Sequence, residues 1–281
     1  MTAVSLTDVL RPAMQEGRAI GGLVVLGWED ARAYVDAAEE TGIPVILQAG
    51  PGCRKHMPVP VLGKMFRHLA DNAGVPIVCH IDHGYTIDEC RAGIEHGFTS
   101  VMFDGSALPI SENIDTTARI VELARPHGIS VEGEVGFVGY AQGAASAATD
   151  PGEAARFDRE SGADAMAVSI GNVHLQTEKT AGIDWTALKA IEGVTSLPLV
   201  LHGGSGIPVA LRRKLAATSR VCKFNIGTEL RMAFGEALRR SIAAQPNVFD
   251  RNALLDPVIE PVRKATIRVI TELYHAGEKS P

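Results

Sequence analysis

Three histidines stand directly after apolar, β-branched segments in separate parts of the chain. His83 follows PIVCHID, His174 follows AVSIGNV and His202 follows PLVL. Three neutral imidazoles that leave a further coordination position open are the ligand set of many catalytic zinc sites. Because histidines at three strand ends can meet at one point, the pattern predicts a site for Zn²⁺ or another divalent metal ion.

Carboxylates stand at comparable places in the sequence. Asp82 directly precedes His83, so at the mouth of such a site it would be the proton donor and acceptor. Glu134 ends SVEGE and Asp104 follows SVMF, and each could accept a hydrogen bond from an imidazole N–H or form an alternative metal position. His80 shares the strand-face parity of Asp82, which leaves open either a supporting role or packing in the core.

Two glycine-rich turns predict a site for an anion. HGGSGIP and NIGTEL each place Gly, Ser or Thr where a strand turns into a helix. Exposed N–H groups at helix N-termini bind anions, so we expect a phosphorylated or otherwise anionic small-molecule substrate. The predicted substrate contacts are Gly203, Gly204, Ser205, Asn225, Gly227 and Thr228.

Short apolar segments alternate with longer amphipathic ones along almost the whole chain, which is typical of βα units around a parallel sheet. About eight strands are predicted; eight close a (β/α)8 TIM barrel, whereas five or six favour an open sheet. The carboxyl ends of barrel strands converge on one face, which would bring the histidines and carboxylates together. The predicted strands are 19–27, 44–49, 76–82, 100–105, 130–136, 164–171, 198–204 and 221–227.

Length and composition favour one large core. The chain has 281 residues, of which 46% are hydrophobic and 21% charged, and we expect a single domain over 1–281 with a C-terminal helical extension. Helices are predicted at 29–42, 86–97, 151–162 and 207–219. Residues 139–150, GYAQGAASAATD, are rich in Gly and Ala and lack periodicity, which predicts a mobile lid loop after the fifth strand.

The charge pattern favours a small-molecule partner. The formal net charge is −6 and the basic residues form no stripe, so neither nucleic acid nor a membrane surface is expected as a partner. The sequence lacks both a signal-like apolar core and a run long enough to span a bilayer, which predicts a cytoplasmic protein. The four cysteines are scattered without a CxxC pair, and we interpret them as reduced.

Six segments, in their order and spacing, resemble the class II, metal-dependent aldolases, in particular the branch with tagatose-bisphosphate and fructose-bisphosphate aldolases. The resemblance runs through nearly the whole chain. It implies cleavage of a carbon–carbon bond in a ketose phosphate through an enediolate of dihydroxyacetone phosphate type, and a homodimer or homotetramer. The segments are CHIDHG at 79–84, VMFDGS at 101–106, VEGEVG at 131–136, AVSIGNVH at 167–174, LVLHGGSGIP at 199–208 and KFNIGTEL at 223–230.

The resemblance also implies roles for single residues. His83, His174 and His202 would hold the zinc ion, Glu134 would support the metal site, and Asp82 would transfer the proton of the hydroxyl at the cleaved bond. A monovalent cation sometimes assists nearby in this family. The phosphorylated ketone would be held by Gly204, Ser205, Asn225 and Thr228.

Three departures from the family pattern predict a changed substrate. Leu175 follows His174 where the family usually has a Gly whose backbone approaches the substrate phosphate. The predicted lid loop carries no acidic residue before Asp150, and Tyr140 is the candidate substitute. The first strand is followed by LGWED in place of an Asn-containing segment, which puts Trp28 near the mouth. We therefore expect the metal chemistry to be retained with a ketose other than fructose 1,6-bisphosphate.

Two other functions stay open at this point. A barrel-type metal hydrolase also uses several strand-end histidines, but the HxH pair common at its first strand is absent. A non-catalytic relative that binds a metal and a sugar phosphate is consistent with the changes at Leu175 and in the lid loop. Lys179 and Arg54 are candidates for binding a second phosphate, although a solvated surface charge is the commoner role of such residues.

Overall fold

The computed structural model describes residues 2–276 and contains a closed barrel of eight parallel strands. The strands pair in chain order, and the eighth pairs with the first. The predicted (β/α)8 TIM barrel is therefore confirmed. The strands are β1 Ile20–Val24, β2 Val45–Ala49, β3 Ile77–Gly84, β4 Ser100–Phe103, β5 Ser130–Val135, β6 Ala165–Val168, β7 Leu199–Leu201 and β8 Val221–Ile226.

Burial on both faces explains why the sequence pattern located all eight strands. Parallel strands that are covered outside by helices and filled inside by side chains appear as continuous apolar runs. Every residue of β3 is buried, and so is every residue of β5 and β8. The boundaries were less accurate than the strands: β1 was predicted to reach residue 27 and ends at Val24.

Helices follow the strands and cover the outside of the barrel. All four predicted helices are present, and Gly42 and Gly162 end two of them with φ of 70°, the left-handed conformation expected of a C-terminal glycine. The helices are α1 Leu6–Gln15, α2 Trp28–Thr41, α3 Pro51–His56, α4 Val59–Asn72, α5 Ile87–Glu95, α6 Ile110–Ala124, α7 Pro151–Ser161, α8 Trp185–Glu192, α9 Val209–Thr218, α10 Thr228–Ala244 and α11 Arg251–Tyr274, with 3-10 turns at Arg125–His127 and Gly204–Gly206.

The interior of the barrel changes from apolar to polar along the strands. At its amino-terminal end, Leu6 and Leu10 of α1 pack with Ile20, Val78 and other apolar strand residues. Further along the strands, the buried interior side chains are polar or charged, and they include His80, Glu132, Lys223, Asp82, Glu134 and Asn225. Since side chains alternate between the two faces of a strand, residues two apart such as His80 and Asp82 form successive interior layers.

The C-terminal helix α11 completes the outer shell. It packs against α2 and α10 and contacts β1, with Val258, Val262, Val269 and Leu273 on its buried face.

Residue 1 and residues 277–281, which end the predicted domain, lie outside the described residues. Within residues 2–276, no helix combines the length and the apolar character that crossing a bilayer requires. The four cysteines are free and buried.

Candidate metal centre

The structure brings the three strand-end histidines together at the carboxyl-terminal face of the barrel. His83 Nε2 lies 2.9 Å from His202 Nδ1. The ring centroid of His174 lies 5.3 Å from the ring centroid of His83 and 5.4 Å from that of His202. One ring nitrogen from each residue falls within 4.8 Å of the others, so the three can ligate a single ion.

An irregular strand end turns both Asp82 and His83 toward this site. Neighbouring residues of a regular strand face opposite sides, so only one of the two would point inward. The pairing of β3 with β4 shifts register between Ile81 and Gly84, and His83 has a φ of 50°. A left-handed residue at a bulge re-aims its side chain, and here it adds His83 to the face on which Asp82 already lies.

Asp104 orients His83. The Nδ1 atom of His83 lies 2.7 Å from Asp104 Oδ2, which leaves Nε2 to face the other histidines. Burial opposes a charged imidazole, but Asp82 and this hydrogen bond outweigh it and raise the pKa of His83 to about 9. Burial likewise opposes the Asp104 carboxylate, and the bond to His83 outweighs it and lowers the pKa of Asp104 to about 2. Asp104 therefore accepts a hydrogen bond from an imidazole N–H, which is one of the two roles predicted for it from the sequence.

His174 and His202 are neutral imidazoles. Burial, reinforced by the charge on His83, lowers the pKa of His174 to about 4 and places that of His202 well below its ordinary value. Metal ions bind the neutral ring, so both residues are already in the ligating form near neutral pH.

Glu134 lies beside the histidines with one unsatisfied oxygen. Its Oε1 atom accepts a hydrogen bond from the backbone N–H of Val138, whereas Oε2, 3.9 Å from His83 Nδ1, has no hydrogen-bond partner among residues 2–276. Burial raises the pKa of Glu134 to about 8. His83, Asp104 and Glu134 form a second group whose ligand atoms lie within 4.8 Å. A buried, unpaired carboxyl oxygen of this kind fits a nearby cation.

Asp82 lines the cavity next to His83. Its Oδ1 accepts a hydrogen bond from Asn225 Nδ2 at 3.2 Å. Burial would raise the pKa of Asp82, but the positive charges on His83 and Lys223 outweigh burial, and the pKa lies below its usual value. Asp82 is therefore a carboxylate at neutral pH, in the form that accepts a proton.

Arg54 is a correction to the sequence analysis. Its guanidinium lies inside the protein, with the side chain only 7% exposed, so it is not a solvated surface charge. It donates hydrogen bonds to the backbone carbonyls of Ala49, Asp82 and His83. These three bonds fix the ends of β2 and β3, and Arg54 is not among the residues that line the cavity, so it is not placed to bind a second phosphate there.

The predicted anion cradle forms one wall of the cavity. Ser205 Oγ accepts from the backbone N–H groups of Gly227 and Glu229, both at 3.3 Å, which ties the turn after β7 to the start of α10. With its lone pairs engaged in this way, the Ser205 hydroxyl has its own proton to donate. The cavity measures about 320 Å³ and is lined by Asp82, His83, His174, Gly203, Ser205, Asn225, Gly227, Thr228 and neighbouring residues. Gly204, also a predicted contact, is buried and is not among the lining residues.

The predicted lid loop lies against the His174 segment. Tyr140 and His174 form a parallel bridge, with hydrogen bonds from His174 N to Gly139 O and from Ala141 N to His174 O. The Tyr140 ring stacks on the His174 ring at 4.9 Å and 23°. This loop therefore contributes an aromatic wall directly beside one of the three imidazoles.

Two departures from the family pattern take a defined form in the structure. Leu175 has a φ of 56°, which favours glycine, so the backbone keeps a glycine-like turn while a leucine side chain lines the cavity. In the LGWED segment, the cavity wall is formed by Leu26, whereas Trp28 begins α2 and is 41% exposed.

Several residues around the site were not predicted from the sequence. Arg231, one turn into α10, and Tyr85 line the cavity without a strand-end signal to mark them. Lys223 lies in the buried run VCKFNI, where a lysine is out of place, and that anomaly was the available signal. Lys179 pairs with Glu229 at 3.0 Å, an ion pair that joins the segment after His174 to α10.

Known proteins and one family model match this chain over nearly its whole length. The family model described as "Fructose-bisphosphate aldolase class-II" matches residues 4–278. A probable fructose-bisphosphate aldolase of Bacillus subtilis (strain 168) is 36% identical over 99% of this chain and 100% of its own length. A 6-phospho-5-dehydro-2-deoxy-D-gluconate aldolase of the same strain is 34% identical over 99% of this chain and 98% of its own length.

A solved aldolase structure also matches nearly the whole chain. The crystal structure of the YdjI aldolase from Escherichia coli K12 superimposes with a TM-score of 0.84 at 30% sequence identity. The match covers 99% of this chain and 100% of that one.

Proposed function

This chain belongs to the class II fructose-bisphosphate aldolase family, and from that membership we propose that it is a zinc-dependent aldolase for a ketose phosphate other than fructose 1,6-bisphosphate. The observation that carries the proposal is the meeting of three imidazoles within 4.8 Å, with Asp82 beside them in one cavity. The family is one of aldolases, and the metal, the substrate and the residue roles are the proposed parts.

His83, His174 and His202 are the proposed zinc ligands, and Glu134 is the proposed supporting carboxylate. Their donor set is the chemistry that zinc prefers: the neutral imidazoles of His174 and His202, an oriented Nε2 on His83 that would release its proton when the metal binds, and a buried carboxyl oxygen without a partner. The metal, when bound, supplies a Lewis acid that polarises the ketone and stabilises negative charge as the carbon–carbon bond breaks.

Asp82 is the proposed base for cleavage. It accepts the proton of the hydroxyl on the far side of the breaking bond, so that this carbon leaves as an aldehyde while the bonding electrons stay with the ketone fragment. In the reverse direction the same carboxyl returns the proton to the alkoxide oxygen. Its pKa, held below the usual range chiefly by the charge on His83, keeps Asp82 in the carboxylate form that accepts a proton in the cleavage direction.

The phosphate of the ketose is assigned to the cradle beside the metal site. The Ser205 hydroxyl accepts from two backbone N–H groups and keeps its own proton to donate to an anion, and the start of a helix such as α10 favours an anion nearby. The family's monovalent cation would lie next to the same anion. The proposed contacts are Gly203, Gly204, Ser205, Asn225, Gly227 and Thr228.

The identity of the ketose is where this chain should differ from its relatives. Two relatives of similar identity carry names with different substrates, fructose bisphosphate and a phosphorylated dehydrodeoxygluconate. The Leu175 side chain and the aromatic ring of Tyr140 give the cavity an apolar wall.

We further propose that the chain is a single domain that acts in the cytoplasm as a homodimer or homotetramer.

A cleavage assay with defined metal content tests the proposal. The protein is treated with EDTA, dialysed, and assayed against a panel of ketose mono- and bisphosphates before and after addition of one equivalent of zinc. We expect at least one ketose phosphate other than fructose 1,6-bisphosphate to be cleaved, with activity lost on chelation and restored by zinc. Full activity in the metal-free protein, or inertness across the panel after zinc loading, would contradict it.

A further inference from the structure

A buried ion pair lies one layer beneath the proposed metal site. Lys223 Nζ lies 2.6 Å from Glu132 Oε2, and both side chains are fully buried inside the barrel. Removing two charges from water is expensive, and an apolar pair of similar volume commonly serves stability as well or better. Fold stability alone therefore does not account for this pair, and its contacts point to another role.

Glu132 faces the distal nitrogen of His202. Its second oxygen, Oε1, lies 3.5 Å from His202 Nε2 and has no hydrogen-bond partner among the described residues. The other ring nitrogen, Nδ1, faces His83 Nε2 at 2.9 Å, on the side where the three imidazoles meet. His202 is thus placed between a buried carboxylate and the proposed metal position.

The two oxygens of the Glu132 carboxylate face different neighbours. Lys223 engages Oε2, which leaves Oε1 for His202. On its other side Lys223 Nζ lies 3.5 Å from His80 Nε2, and His80 Nδ1 lies 2.9 Å from Ser100 Oγ. Lys223 is therefore held from two directions, and it fixes the position of the Glu132 carboxylate.

The backbone of β8 is irregular where this lysine enters the barrel. Leu199 pairs with Val221 but Val200 pairs with Lys223, so Cys222 is skipped in the ladder. Cys222 packs in the apolar interior cluster, and Lys223 next to it also reaches the interior to meet Glu132. Bulges of this kind re-aim side chains beside active sites.

We propose that Glu132 and Lys223 are positioning residues that hold His202 in the tautomer and orientation in which Nδ1 ligates the metal. A ligating histidine generally donates its other ring N–H to a carboxylate or carbonyl, which fixes the ring and strengthens the ligand. Asp104 has the matching relation to His83, since it accepts from Nδ1 and leaves Nε2 to ligate. The inference rests on the proposed metal site.

Zinc affinity tests the inference without reference to turnover. Wild type, Glu132→Gln, Lys223→Met and the double variant are titrated with Zn²⁺ against a chromophoric chelator, and their Co²⁺ forms are compared by visible absorption. Each single variant should bind zinc about 10–100-fold more weakly and show a changed cobalt spectrum. Because the two residues act as one unit, the double variant should lose much less than the product of the two single effects.

Glu272→Gln is the matched control. It removes a carboxylate that pairs with a buried arginine, Arg212, but lies on α11 outside the barrel, so zinc affinity should stay at the wild-type value. Unfolding of each metal-free variant is followed by circular dichroism. Weaker zinc binding that appears only in variants without cooperative unfolding would overturn the inference, because the effect would then be structural.

The outcomes separate this inference from the proposed function. Wild-type protein that binds no zinc would contradict the proposed metal site itself, and the inference with it. Wild type that binds one zinc ion, together with single variants of unchanged affinity and cobalt spectrum, would overturn only the role of Glu132 and Lys223. Weaker binding and an altered spectrum in cooperatively folded variants would support it.

Discussion

Asp82 and His83 are adjacent in the sequence and have different proposed roles at this site, as base and as metal ligand. Both face the cavity, because the bulge at the end of β3 and the left-handed backbone of His83 override the usual alternation. His83 is oriented by Asp104 and offers Nε2, whereas Asp82 keeps a carboxylate open to the cavity. The proposed ligand and the proposed base therefore stand side by side without competing for one position.

Replacing Asp82 with Asn should separate chemistry from metal binding. The amide keeps the shape and the contact with Asn225 but cannot take up the hydroxyl proton, so kcat should fall by about 10²–10⁴-fold. Zinc content should stay at one ion per chain. Steady-state cleavage kinetics and metal analysis of the same preparation check both parts. Asp158→Asn, a carboxylate on α7 that binds Thr195, is the control that should leave kcat unchanged. A kcat for Asp82→Asn equal to wild type would remove this residue from the mechanism.

Tyr140→Phe tests the tyrosine of the loop after β5. Burial, with the nearby carboxylates, raises the pKa of Tyr140, so its hydroxyl is protonated at neutral pH. We propose that this hydroxyl returns a proton to the carbon of the ketone fragment that cleavage leaves behind. We expect slower turnover and slower exchange of the α-proton of dihydroxyacetone phosphate in D₂O, measured by NMR. Tyr85→Phe, the other tyrosine in the cavity wall, is the control. If Tyr140→Phe turned over and exchanged at the wild-type rate, the proton would have to come from elsewhere.

At the residue scale, strand-end positions were predictable and cross-barrel partners were not. His83, His174 and His202 each follow an apolar run, and in a barrel that placement alone brings them to one face. The Glu132–Lys223 pair depends on which side chains meet across the interior, and no local pattern records that. Arg54 was misread because its long side chain folds back onto backbone carbonyls.

The turn between β1 and α2 depends on a buried carboxylate. Asp30 accepts a hydrogen bond from the backbone N–H of Leu26 at 3.0 Å and so fixes the segment that brings Leu26 to the cavity wall. Burial raises the pKa of Asp30 to about 6. A carboxyl whose pKa is higher in the folded protein than in the unfolded chain binds its proton more tightly when folded, so stability falls as pH rises toward the folded pKa.

Asp30→Asn should therefore become relatively more favourable with rising pH. Between pH 5 and 7.5 the difference in free energy of unfolding between variant and wild type should shift by about 1 kcal/mol in favour of Asn, and then level off. Urea unfolding of both proteins across this range measures it. A difference that does not change with pH would mean that the folded pKa of Asp30 is close to its ordinary value.

Elements were predicted more securely than their ends and loops. Helices such as α2 and α7 carry amphipathic periodicity and a C-terminal glycine, and both lie within two residues of their predicted limits. The loop at 139–150 lacks any periodicity, so its bridge to His174 was invisible in the sequence. That bridge depends on Gly139 and Tyr140 meeting a segment more than thirty residues away.

At the scale of the whole molecule, metal binding should couple to unfolding. Two of the proposed ligands come from the ends of β3 and β7 and the third, His174, from the loop after β6, so an ion held by all of them links distant parts of one barrel. A ligand that binds only the folded state stabilises it by about 4 kcal/mol at a thousand times its Kd. Calorimetry with EDTA and with excess zinc should show a clear rise in Tm. His202→Ala should lose most of that rise, and an equal rise in this variant would place the zinc elsewhere.

The barrel itself was predictable because closure follows from the number of strands. Eight buried apolar runs separated by helices leave few alternatives to a closed parallel sheet, and the strand-end polar residues mark its functional face. The interior layer of His80, Glu132 and Lys223 departs from that simple pattern. Its polarity fits the proposed metal site above it, which only the folded chain assembles.

Anomalous diffraction at the zinc absorption edge, from crystals of the zinc-loaded protein, tests the central claim most directly. The account predicts one strong peak per chain, about 2.0–2.1 Å from His83 Nε2, from His202 Nδ1 and from one ring nitrogen of His174. A peak elsewhere in the molecule, or an ion that contacts fewer than three of these imidazoles, would contradict it.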